Sequence, residues 1–376
     1  MLLREVLTNN ELKEHLVTIV GLLSVEGIGP TRYHRLIRAF GSPDAVLQAS
    51  EVKLSEIKGV SEDLAHRIAT LDLSEARQMA SRVVQLGWHI SVLGEEDYPS
   101  LLANINCPPP VLFWQGELSG ADDQTVAIVG TRRATEQGLA LARELAGALA
   151  ELGMTVVSGM AEGIDSAAHI GALEAGGRTI AVWGSSLDHL YPPSNRGLAE
   201  RISTQGALLS EYLPDTRPDR ATFPQRNRII SGMSQAIVVV QAGKRSGALI
   251  TAAHALEQNR ELFAVPGSPR SRASEGTNDL IKRGAALLTS VEDIFDALPR
   301  LRGQAQAKAA RNLPDMTATE QNLIDHFKAG PLQIDQLSRS AQLPVPEVME
   351  LLLALELKGI VREVSGKRYM LSDNYL

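Results

Sequence analysis

The sequence contains a single cysteine, Cys107, among its 376 residues. An intramolecular disulfide and a cysteine-based zinc site are therefore excluded. The sequence also has no apolar run long enough to predict a membrane-spanning helix. Its opening residues include the acidic Glu5 and do not predict a signal peptide. We therefore expect a cytoplasmic protein without membrane contacts.

The chain also has no overall excess of positive charge. Its 37 lysines and arginines and 44 acidic residues give a net charge of -7. Because a net charge averages over the whole chain, a local cluster can still bind anions. The segment from Arg217 to Arg245 has six cations and one acid, Asp219. The six are Arg217, Arg220, Arg226, Arg228, Lys244 and Arg245. This cluster predicts an anion-binding surface.

Several motifs of cofactor-binding and catalytic proteins are missing. The sequence has no Gly-x-Gly-x-x-Gly, no Walker Gly-x-x-x-x-Gly-Lys-Ser/Thr and no Gly-x-Ser-x-Gly elbow. Asp165 and His169 are four residues apart and could form a metal pair or an acid–base couple on one helix face. Without a third ligand or a nucleophile, the favoured interpretation is that Asp165 braces a helix start and His169 fills a polar core position. We predict no cofactor, no metal and no enzymatic activity.

The stretch from Thr125 to Ser290 alternates short apolar runs with helix-period segments. The runs are rich in β-branched residues and apolar on both faces, which is typical of buried parallel strands. They cover 125–130, 154–159, 179–184, 207–211, 236–241 and 262–267. Two further runs, 88–93 and 111–115, extend the same sheet. This pattern predicts an α/β fold with a doubly wound, mostly parallel sheet.

Ligands bind such sheets at the carboxyl ends of the strands. Here these ends carry glycines, hydroxyls and cations in Gly130–Arg133, Ser158–Met160 and Ala242–Gly247. The residues Ser246 and Gly247 also begin a helix that can offer backbone N–H groups to an anion. We therefore predict a series of anion-binding turns along this edge of the sheet.

An aromatic residue lies inside the basic cluster, in the run Phe223-Pro-Gln-Arg-Asn-Arg228. Single-stranded nucleic acid is bound by rings that stack on bases and by cations that hold phosphates. Asn227 offers both a donor and an acceptor. The alternative is that Phe223 is a core residue and the arginines form a solvated face. Pro224 and the charged neighbours favour the nucleic-acid interpretation.

The flanking segments predict two smaller modules. Residues 1–84 contain two helix–turn–helix units, with turns at Ser24–Pro30 and Ser55–Ser61, that resemble the helix–hairpin–helix, or SAM-like, fold. Their turns can bind a phosphate, aided in the first copy by Arg32, Arg35 and Arg38, or their glycines can simply permit tight turns. The first copy leaves both interpretations open, and the second favours the structural one.

The C-terminal segment predicts a winged helix after a flexible, basic linker at 299–316. Its helices are predicted at 318–327, 332–340 and 344–358, and its hairpin at 360–371 turns at Ser365-Gly366. The third helix carries three glutamates, one lysine and apolar positions that we expect mostly to pack inward. Although the wing holds Arg362, Lys367 and Arg368, we predict a protein-contact or regulatory module. The predicted domains are 1–84, 85–298 and 317–376, joined by the linker.

The motifs of the central region, taken together, resemble the DprA family of DNA-processing proteins, also called Smf. They are Gly130-Thr-Arg132, Ser158-Gly-x-Ala-x-Gly-Ile-Asp165-x-x-Ala-His169, Tyr191-Pro-x-x-Asn195, Phe223-Pro-x-Arg-Asn-Arg-Ile-Ile230, Ser246-Gly-x-Leu-x-Thr-Ala252, Ala264-Val-Pro-Gly267 and Gly276-Thr-Asn278. The resemblance implies an extended Rossmann fold that binds single-stranded DNA without cleaving it. It also implies a homodimer through that domain and transfer of DNA to the recombinase RecA during natural transformation or recombination.

The resemblance also assigns roles to single residues. It implies that Arg132 holds a phosphate, that Phe223 stacks on a base, and that Arg220, Arg226, Asn227 and Lys244 line the same pocket. The full predicted DNA-binding set is Gly130, Thr131, Arg132, Ser158, Gly159, Arg220, Phe223, Arg226, Asn227, Arg228, Lys244, Ser246 and Gly247. Glu162 is an exception, because a loop that contacts DNA would favour a neutral or basic residue at this position.

Two alternatives remain open. Related sheets include nucleotide phosphoribohydrolases of the lysine-decarboxylase-like type, whose signature is Pro-Gly-Gly-x-Gly-Thr-x-x-Glu. The nearest segment here, Gln241–Leu249, has no glutamate. The other alternative is a structural adaptor for RecA in which DNA binding is incidental.

Overall fold

The structure, a computed structural model, describes residues 10–119, 122, 124–301, 316–358, 360–364 and 368–371. The chain divides into two compact units, Met1–Lys308 and Ala309–Leu376, and each is described here by itself. Among the described residues, no helix is both long enough and apolar enough to cross a lipid bilayer.

The first unit begins with short helices joined by tight turns. Their bounds are α1 Asn10–Ser24, α2 Pro30–Phe40, α3 Pro43–Leu47, α4 Glu51–Ser55, α5 Glu62–Ala69 and α6 Ser74–Gln85. Ser42 and Ser61 cap α3 and α5 by accepting a backbone N–H with the side chain. Gly27 and Gly59, in the turns before α2 and α5, have φ of 96° and 87°, a conformation that favours glycine. The predicted N-terminal helical region is confirmed.

The sheet of the first unit contains nine strands among the described residues. In chain order they are β1 His89–Val92, β2 Val111–Gly116, β3 Thr125–Gly130, β4 Thr155–Ser158, β5 Thr179–Val182, β6 Ala207–Ser210, β7 Ala236–Gln241, β8 Glu261–Ala264 and β9 Ala286–Leu287. Their spatial order is β1-β2-β6-β5-β4-β3-β7-β8-β9. The pairs β1–β2 and β2–β6 are antiparallel and the others are parallel. The predicted doubly wound, mostly parallel α/β sheet is therefore confirmed.

Helices cover both faces of this sheet. They are α7 Ser100–Ala103, α8 Glu136–Glu151, α9 Ile164–Glu174, α10 Arg196–Gln205, α11 Thr222–Gly232, α12 Ala248–Glu257, α13 Glu275–Lys282 and α14 Glu292–Ala297. Val126 and Ile128 of β3 pack with residues of α8 and α9, whereas Ala127 and Val129 pack with residues of α11 and α12. Since the helices after β3 and β7 lie on opposite faces, the order reverses between these strands, and a ligand crevice is expected there.

The N-terminal helices share a hydrophobic core with the near end of the sheet. Leu22 and Leu36 belong to the same buried cluster as Trp88, Phe113 and Trp183. Trp88 and Phe113 lie in the interior, since they are 3% and 0% exposed. The N-terminal helices thus continue the packing of the sheet face.

The second unit has the predicted winged-helix fold. It contains α15 Ala318–Asp325, a 3-10 turn at His326–Ala329, β10 Leu332–Gln333, α16 Ile334–Ala341, α17 Val345–Leu357, β11 Val361–Val364 and β12 Arg368–Leu371. A capping box of Thr317 and Glu320 begins α15. The predicted turn at Ser365-Gly366 and the linker residues 302–315 lie outside the described residues. Leu301, which we assigned to the linker, is fully buried, so the linker was predicted to begin too early.

Candidate nucleic-acid interface

Several loops meet at the carboxyl edge of the sheet, as the parallel arrangement requires. The Thr131 backbone N–H donates to the carbonyl oxygen of Gln241 over 2.8 Å, and that of Ile164 donates to the Thr131 carbonyl oxygen over 3.3 Å. Gly163 has a φ of 88°, and a Cβ there would lie 2.4 Å from the Thr131 oxygen. Close packing of this kind fixes the turns after β3, β4 and β7 relative to one another.

An exposed cluster of two rings and one cation lies at this edge. The ring centroids of Tyr191 and Phe223 are 5.5 Å apart with an interplanar angle of 40°. Arg132 Cζ lies 5.2 Å from the centroid of the Phe223 ring, within range of a cation–π interaction. Phe223 is half-buried and Tyr191 is 44% exposed. With Gly159 and Glu162 they line a cleft of about 60 Å³.

The position of Phe223 depends on Gly184, two residues after the end of β5. A Cβ on Gly184 would lie only 2.7 Å from Phe223 Cδ1, so the absence of a side chain lets the ring approach the strand. Thr222 Oγ1 donates to the Gly184 carbonyl oxygen over 2.5 Å. The start of α11 is thereby held against β5, and the ring is presented at the edge instead of entering the core.

Arg226 lies beneath the cleft and not on its surface. It is 4% exposed, and its Nη1 donates to the carbonyl oxygens of Gly159, over 2.5 Å, and of Val182. Burial lowers its pKa to about 10, so it remains charged at neutral pH. The prediction that Arg226 lines the pocket fits this position, but its guanidinium braces two strand ends instead of lying free for a phosphate.

Three other residues of the predicted set have structural roles. Ser158 is fully buried and donates to the Ile128 carbonyl oxygen over 2.6 Å. Asn227 is 9% exposed and donates to the Gly247 carbonyl oxygen over 3.3 Å. Arg228 pairs with Glu211 over 2.5 Å, and both side chains are largely buried. We therefore correct our assignment of direct DNA contacts to these residues, because their polar groups already bind the protein.

Asp165 and His169 do not form a catalytic or metal-binding pair. Asp165 accepts a hydrogen bond from the Ala161 backbone N–H over 3.4 Å, and burial raises its pKa. His169 Nδ1 lies 2.6 Å from Thr179 Oγ1, and Thr179 donates its own proton to the Val156 carbonyl oxygen. Nδ1 therefore carries the proton. Burial lowers the His169 pKa to about 3, so the ring is neutral. The favoured interpretation, a helix brace and a core histidine, agrees with these contacts.

The remaining predicted residues are more accessible. Arg132, Arg220, Lys244 and Gly247 are exposed, and Thr131 and Ser246 are half-buried. Gly130 acts through packing, because a Cβ there would lie 2.5 Å from Ile164 Cγ1. The structure thus brings Arg132 to Phe223, and it places Lys244 and Ser246 on the adjoining turn after β7.

Sequence reasoning missed Tyr191 and two arginines that follow β8. Tyr191 was noted only as part of a motif, although a large exposed ring beside two prolines is itself a signal for ligand contact. Arg270 and Arg272 are exposed, and the Gly276 backbone N–H donates to the Ala242 carbonyl oxygen over 2.7 Å. That bond holds the loop after β8 against the turn that carries Lys244.

In the N-terminal helical region, arginine side chains of α2 donate hydrogen bonds to the two tight turns. Arg32 Nε donates to the Gly59 carbonyl oxygen over 2.9 Å, and its Nη1 donates to that of Gly27 over 2.5 Å. Arg35 donates to the Lys58 carbonyl oxygen. These bonds join the two turns, which supports the structural interpretation of both glycines.

A group of metal-ligating residue types lies elsewhere, near α6. Asp188, His189 and Asp215 place ligand atoms within 4.8 Å of one another. Arg82 pairs with Asp188 over 3.4 Å and also with Asp215. The guanidinium pairs with both carboxylates, so the group ties α6 to the loops after β5 and β6.

Comparison with known proteins identifies each part of the chain. The sequence profile of DNA recombination-mediator protein A matches residues 89–299, that of the DprA winged helix domain matches 307–367, and that of a SAM-like helix-hairpin-helix tandem matches 19–70. The protein Smf of Synechocystis is 34% identical over 92% of this chain and 96% of its own. The DNA processing protein DprA of Bacillus subtilis is 43% identical over 55% of this chain and 70% of its own.

Solved structures give the same result. The X-ray structure of DprA from Streptococcus pneumoniae has a TM-score of 0.66 and 33% identity, covering 74% of this chain and 97% of its own. DNA processing protein A from Helicobacter pylori, described with a single-stranded DNA binding mode, has a TM-score of 0.51 and 32% identity over 56% of this chain and 96% of its own. The resemblance inferred from the motifs is confirmed, and the chain belongs to the DNA recombination-mediator protein A family, whose members include the DprA and Smf proteins.

Proposed function

We propose that this protein binds single-stranded DNA along the carboxyl edge of its sheet. The observation that carries the proposal is the exposed cluster of Arg132, Tyr191 and Phe223. Two neighbouring rings offer faces on which bases stack, and the arginine beside them can neutralise a phosphate. The related Helicobacter pylori protein, described with a single-stranded DNA binding mode, supports the same assignment.

The surrounding charges favour a path of the DNA that crosses the carboxyl ends of several β-strands. Lys244 and Arg245 lie on the turn after β7, and Arg270 and Arg272 lie on the adjoining loop after β8. The strands β3, β7 and β8 are neighbours in the sheet. A DNA backbone that leaves Arg132 in this direction therefore meets successive cations, while Glu162 on the cleft rim disfavours a phosphate on that side.

Binding is expected to favour single strands over duplexes. Stacking on Phe223 and Tyr191 needs exposed base faces, which a duplex hides. An electrophoretic shift should therefore show clearly weaker binding of a blunt duplex than of its separated strands at the same salt concentration. Equal affinity for both would contradict the stacking model.

We further propose that the bound strand is passed to the RecA recombinase during transformation or recombination. This step rests on family membership. The adaptor alternative makes a different prediction for Phe223→Ala. If this variant loses DNA binding but still promotes RecA filaments on DNA as well as the wild type does, the adaptor reading is correct.

We infer that the protein acts without catalysis. The turn after β7, Ala242–Gly247, has no glutamate at the position that the phosphoribohydrolase signature requires. Asp165 and His169 already bind neighbouring protein groups. Incubation with nucleoside monophosphates should release no free base, and release of base would favour the enzyme alternative.

We propose that two copies pair through the sheet domain. The strand β9 ends the sheet among the described residues, and its Leu287 is 47% exposed. The following residues Val291, Ile294 and Phe295 are buried in the protein's own core, so β9 and not α14 offers the accessible apolar surface. An exposed strand edge can pair with another chain.

The dimer prediction can be tested without the winged helix. A chain truncated at Arg311 should have a dimer mass in light scattering at micromolar concentration. Leu287→Lys should lower that mass, because it places like charges opposite each other at a two-fold contact. An unchanged dimer in this variant would assign the interface to another surface.

We propose that the winged helix contacts protein and not DNA. Val348, Leu352 and Leu355 of α17 are buried as predicted. However, Val345, Met349 and Leu353 are 39%, 54% and 58% exposed, so the expectation that the apolar positions mostly pack inward was partly wrong. Exposed Glu347, Glu350 and Glu356 lie on the same helix. The glutamates repel DNA phosphates. An apolar surface surrounded by acidic side chains instead fits a partner protein with basic and apolar groups.

Removal of the winged helix should leave DNA binding largely intact. A chain truncated at Arg311 should bind single-stranded DNA within a few-fold of the full chain at physiological salt, because the phosphate contacts are on the sheet. Fluorescence anisotropy would measure this. A loss of about a hundredfold, or sequence-specific duplex binding that depends on the module, would show that the winged helix binds DNA.

A further inference from the structure

The two rings of the proposed DNA site come from two different loops. Tyr191 lies in the loop after β5, and Phe223 is the second residue of α11, directly after the loop that follows β6. Their ring centroids are 5.5 Å apart. The arrangement of the two rings therefore depends on how these two loops are held against each other.

Hydrogen bonds join the two loops at two points. The Ser186 backbone N–H donates to the Thr216 carbonyl oxygen over 3.0 Å, and Ser186 is fully buried. Nearer the ring, Thr222 Oγ1 donates to the Gly184 carbonyl oxygen. The loop after β6 is thus attached to the loop after β5 before it reaches Phe223.

An arginine of the N-terminal helical region pairs with both loops. Arg82 of α6 places its Nη2 3.4 Å from Asp188 Oδ2, in the loop after β5, and its Nη1 pairs with Asp215, in the loop after β6. The Asp215 backbone N–H also donates to Asp188 Oδ2 over 3.2 Å. We call these three residues the Arg82 cluster. A network of several charges holds its members more firmly than an isolated surface ion pair does.

The backbone of Asp215 shows why its loop needs these contacts. Asp215 has a φ of 66°, in the left-handed region that few residues other than glycine, asparagine and aspartate adopt. Such a conformation persists when surrounding contacts fix it. Here the backbone N–H is held by Asp188 and the side chain by Arg82. The Arg82 cluster therefore fixes the turn that directs the chain toward Phe223.

The charge of the Arg82 cluster excludes a direct role in DNA binding. Its two carboxylates and one guanidinium sum to a net negative charge, which does not attract phosphates. The guanidinium already pairs with Asp188 and Asp215. Any contribution of the cluster to DNA affinity must therefore pass through the loops that it holds.

We propose that Arg82 is a positioning residue, through which the N-terminal helical region holds Tyr191 and Phe223 in their DNA-binding arrangement. The inference rests on the proposed binding of single-stranded DNA by these rings. A site that takes its binding arrangement for only a fraction of the time has an apparent affinity reduced by that fraction. The N-terminal helices thereby raise the affinity for DNA without contacting it.

The first test uses the full-length chain and fluorescence anisotropy with labelled oligo(dT). Arg82→Ala should weaken binding about threefold to fivefold, the upper range for exposed ion pairs, and Arg82→Lys should restore part of the loss. Asp215→Asn keeps a residue type that tolerates the left-handed backbone but removes the charge paired with Arg82. It should also weaken binding, although loss of a carboxylate by itself favours phosphate attraction. Arg77→Ala, which removes a cation from the same helix outside the cluster, should change affinity less than about twofold.

A double-mutant cycle shows whether the effect passes through the rings. In the Tyr191→Ala/Phe223→Ala background, measured at low salt to keep binding detectable, Arg82→Ala should cause no further loss. The same loss in that background as in the wild type would overturn the proposal. So would binding by Asp215→Asn that equals or exceeds that of the wild type, because charge alone would then explain the effect of Arg82.

Hydrogen exchange of the free protein separates this proposal from the function on which it rests. In Arg82→Ala the amides of residues 185–191 and 213–222 should exchange faster than in the wild type, whereas those of β3 and β7 should not change. Unchanged exchange in both loops would overturn the positioning role. Failure of the wild-type chain to bind any oligonucleotide would instead overturn the proposed function, and the exchange result would still decide whether Arg82 holds the loops.

Discussion

Replacing Phe223 with alanine is expected to weaken single-stranded DNA binding by about 1–3 kcal/mol, or roughly fivefold to 150-fold. The ring lies beside Tyr191 with 5.5 Å between centroids, and it is half-buried at the edge of the sheet. Its loss removes a stacking surface but no phosphate contact, so the slope of affinity against salt concentration should not change.

The matched comparison is Arg132→Ala. It should reduce affinity for all sequences alike and reduce the salt slope by about 0.7 if one phosphate contact is lost. Because Arg132 Cζ lies 5.2 Å from the Phe223 ring centroid, the two changes should not be additive in a double-mutant cycle. Anisotropy titrations at several salt concentrations would measure both effects.

Phe223→Leu separates stacking from simple packing. Leucine keeps an apolar side chain against Gly184 but has no aromatic face, so this variant should fold normally and bind DNA nearly as weakly as Phe223→Ala. Wild-type affinity in Phe223→Leu, or unfolding of Phe223→Ala, would show that the ring is a core residue.

Arg228→Ala is expected to destabilise the protein by about 3–5 kcal/mol, because it leaves a buried carboxylate without its partner. Arg228 pairs with Glu211 over 2.5 Å, and their side chains are 13% and 6% exposed. Burial raises the pKa of Glu211, and loss of the guanidinium would raise it further. Chemical denaturation followed by circular dichroism would measure the change.

The double variant Arg228→Met/Glu211→Leu provides the control. Replacing both charges with apolar groups of similar size should restore most of the stability. The folded fraction of each variant should bind single-stranded DNA as the wild type does, because neither residue lies at the cleft. A large loss of affinity in the stable double variant would return Arg228 to the DNA-binding set.

The strand pattern determined the architecture from the sequence alone. Strands buried on both faces must be apolar throughout, and helices that cover one face must be amphipathic. The alternation of strands and helices could therefore be predicted without knowledge of the tertiary contacts. The same holds for the winged helix. The parallel order also placed Gly130 and Lys244 at one edge, because parallel strands all end on the same side.

Only the tertiary structure decided which members of the basic cluster are accessible. Arg226 and Arg228 lie two residues apart on α11, yet the first reaches carbonyl oxygens of Gly159 and Val182 while the second reaches Glu211. These partners lie at the carboxyl ends of β4, β5 and β6, at 67, 44 and 17 residues from the arginines that they bind. The local sequence does not indicate such tertiary contacts, so buried arginines cannot be distinguished from exposed ones without the structure.

The tertiary structure also determined which aromatic rings lie next to each other. Phe223 stood out within its basic segment, but its neighbour Tyr191 comes from the loop after β5, and Gly184 in the same loop leaves room for the ring. The sequence determined that rings, cations and small turns are present at the carboxyl edge. The long-range packing of α11 against β5 decided which of them meet, because burial depends on the partners that the fold brings to each side chain.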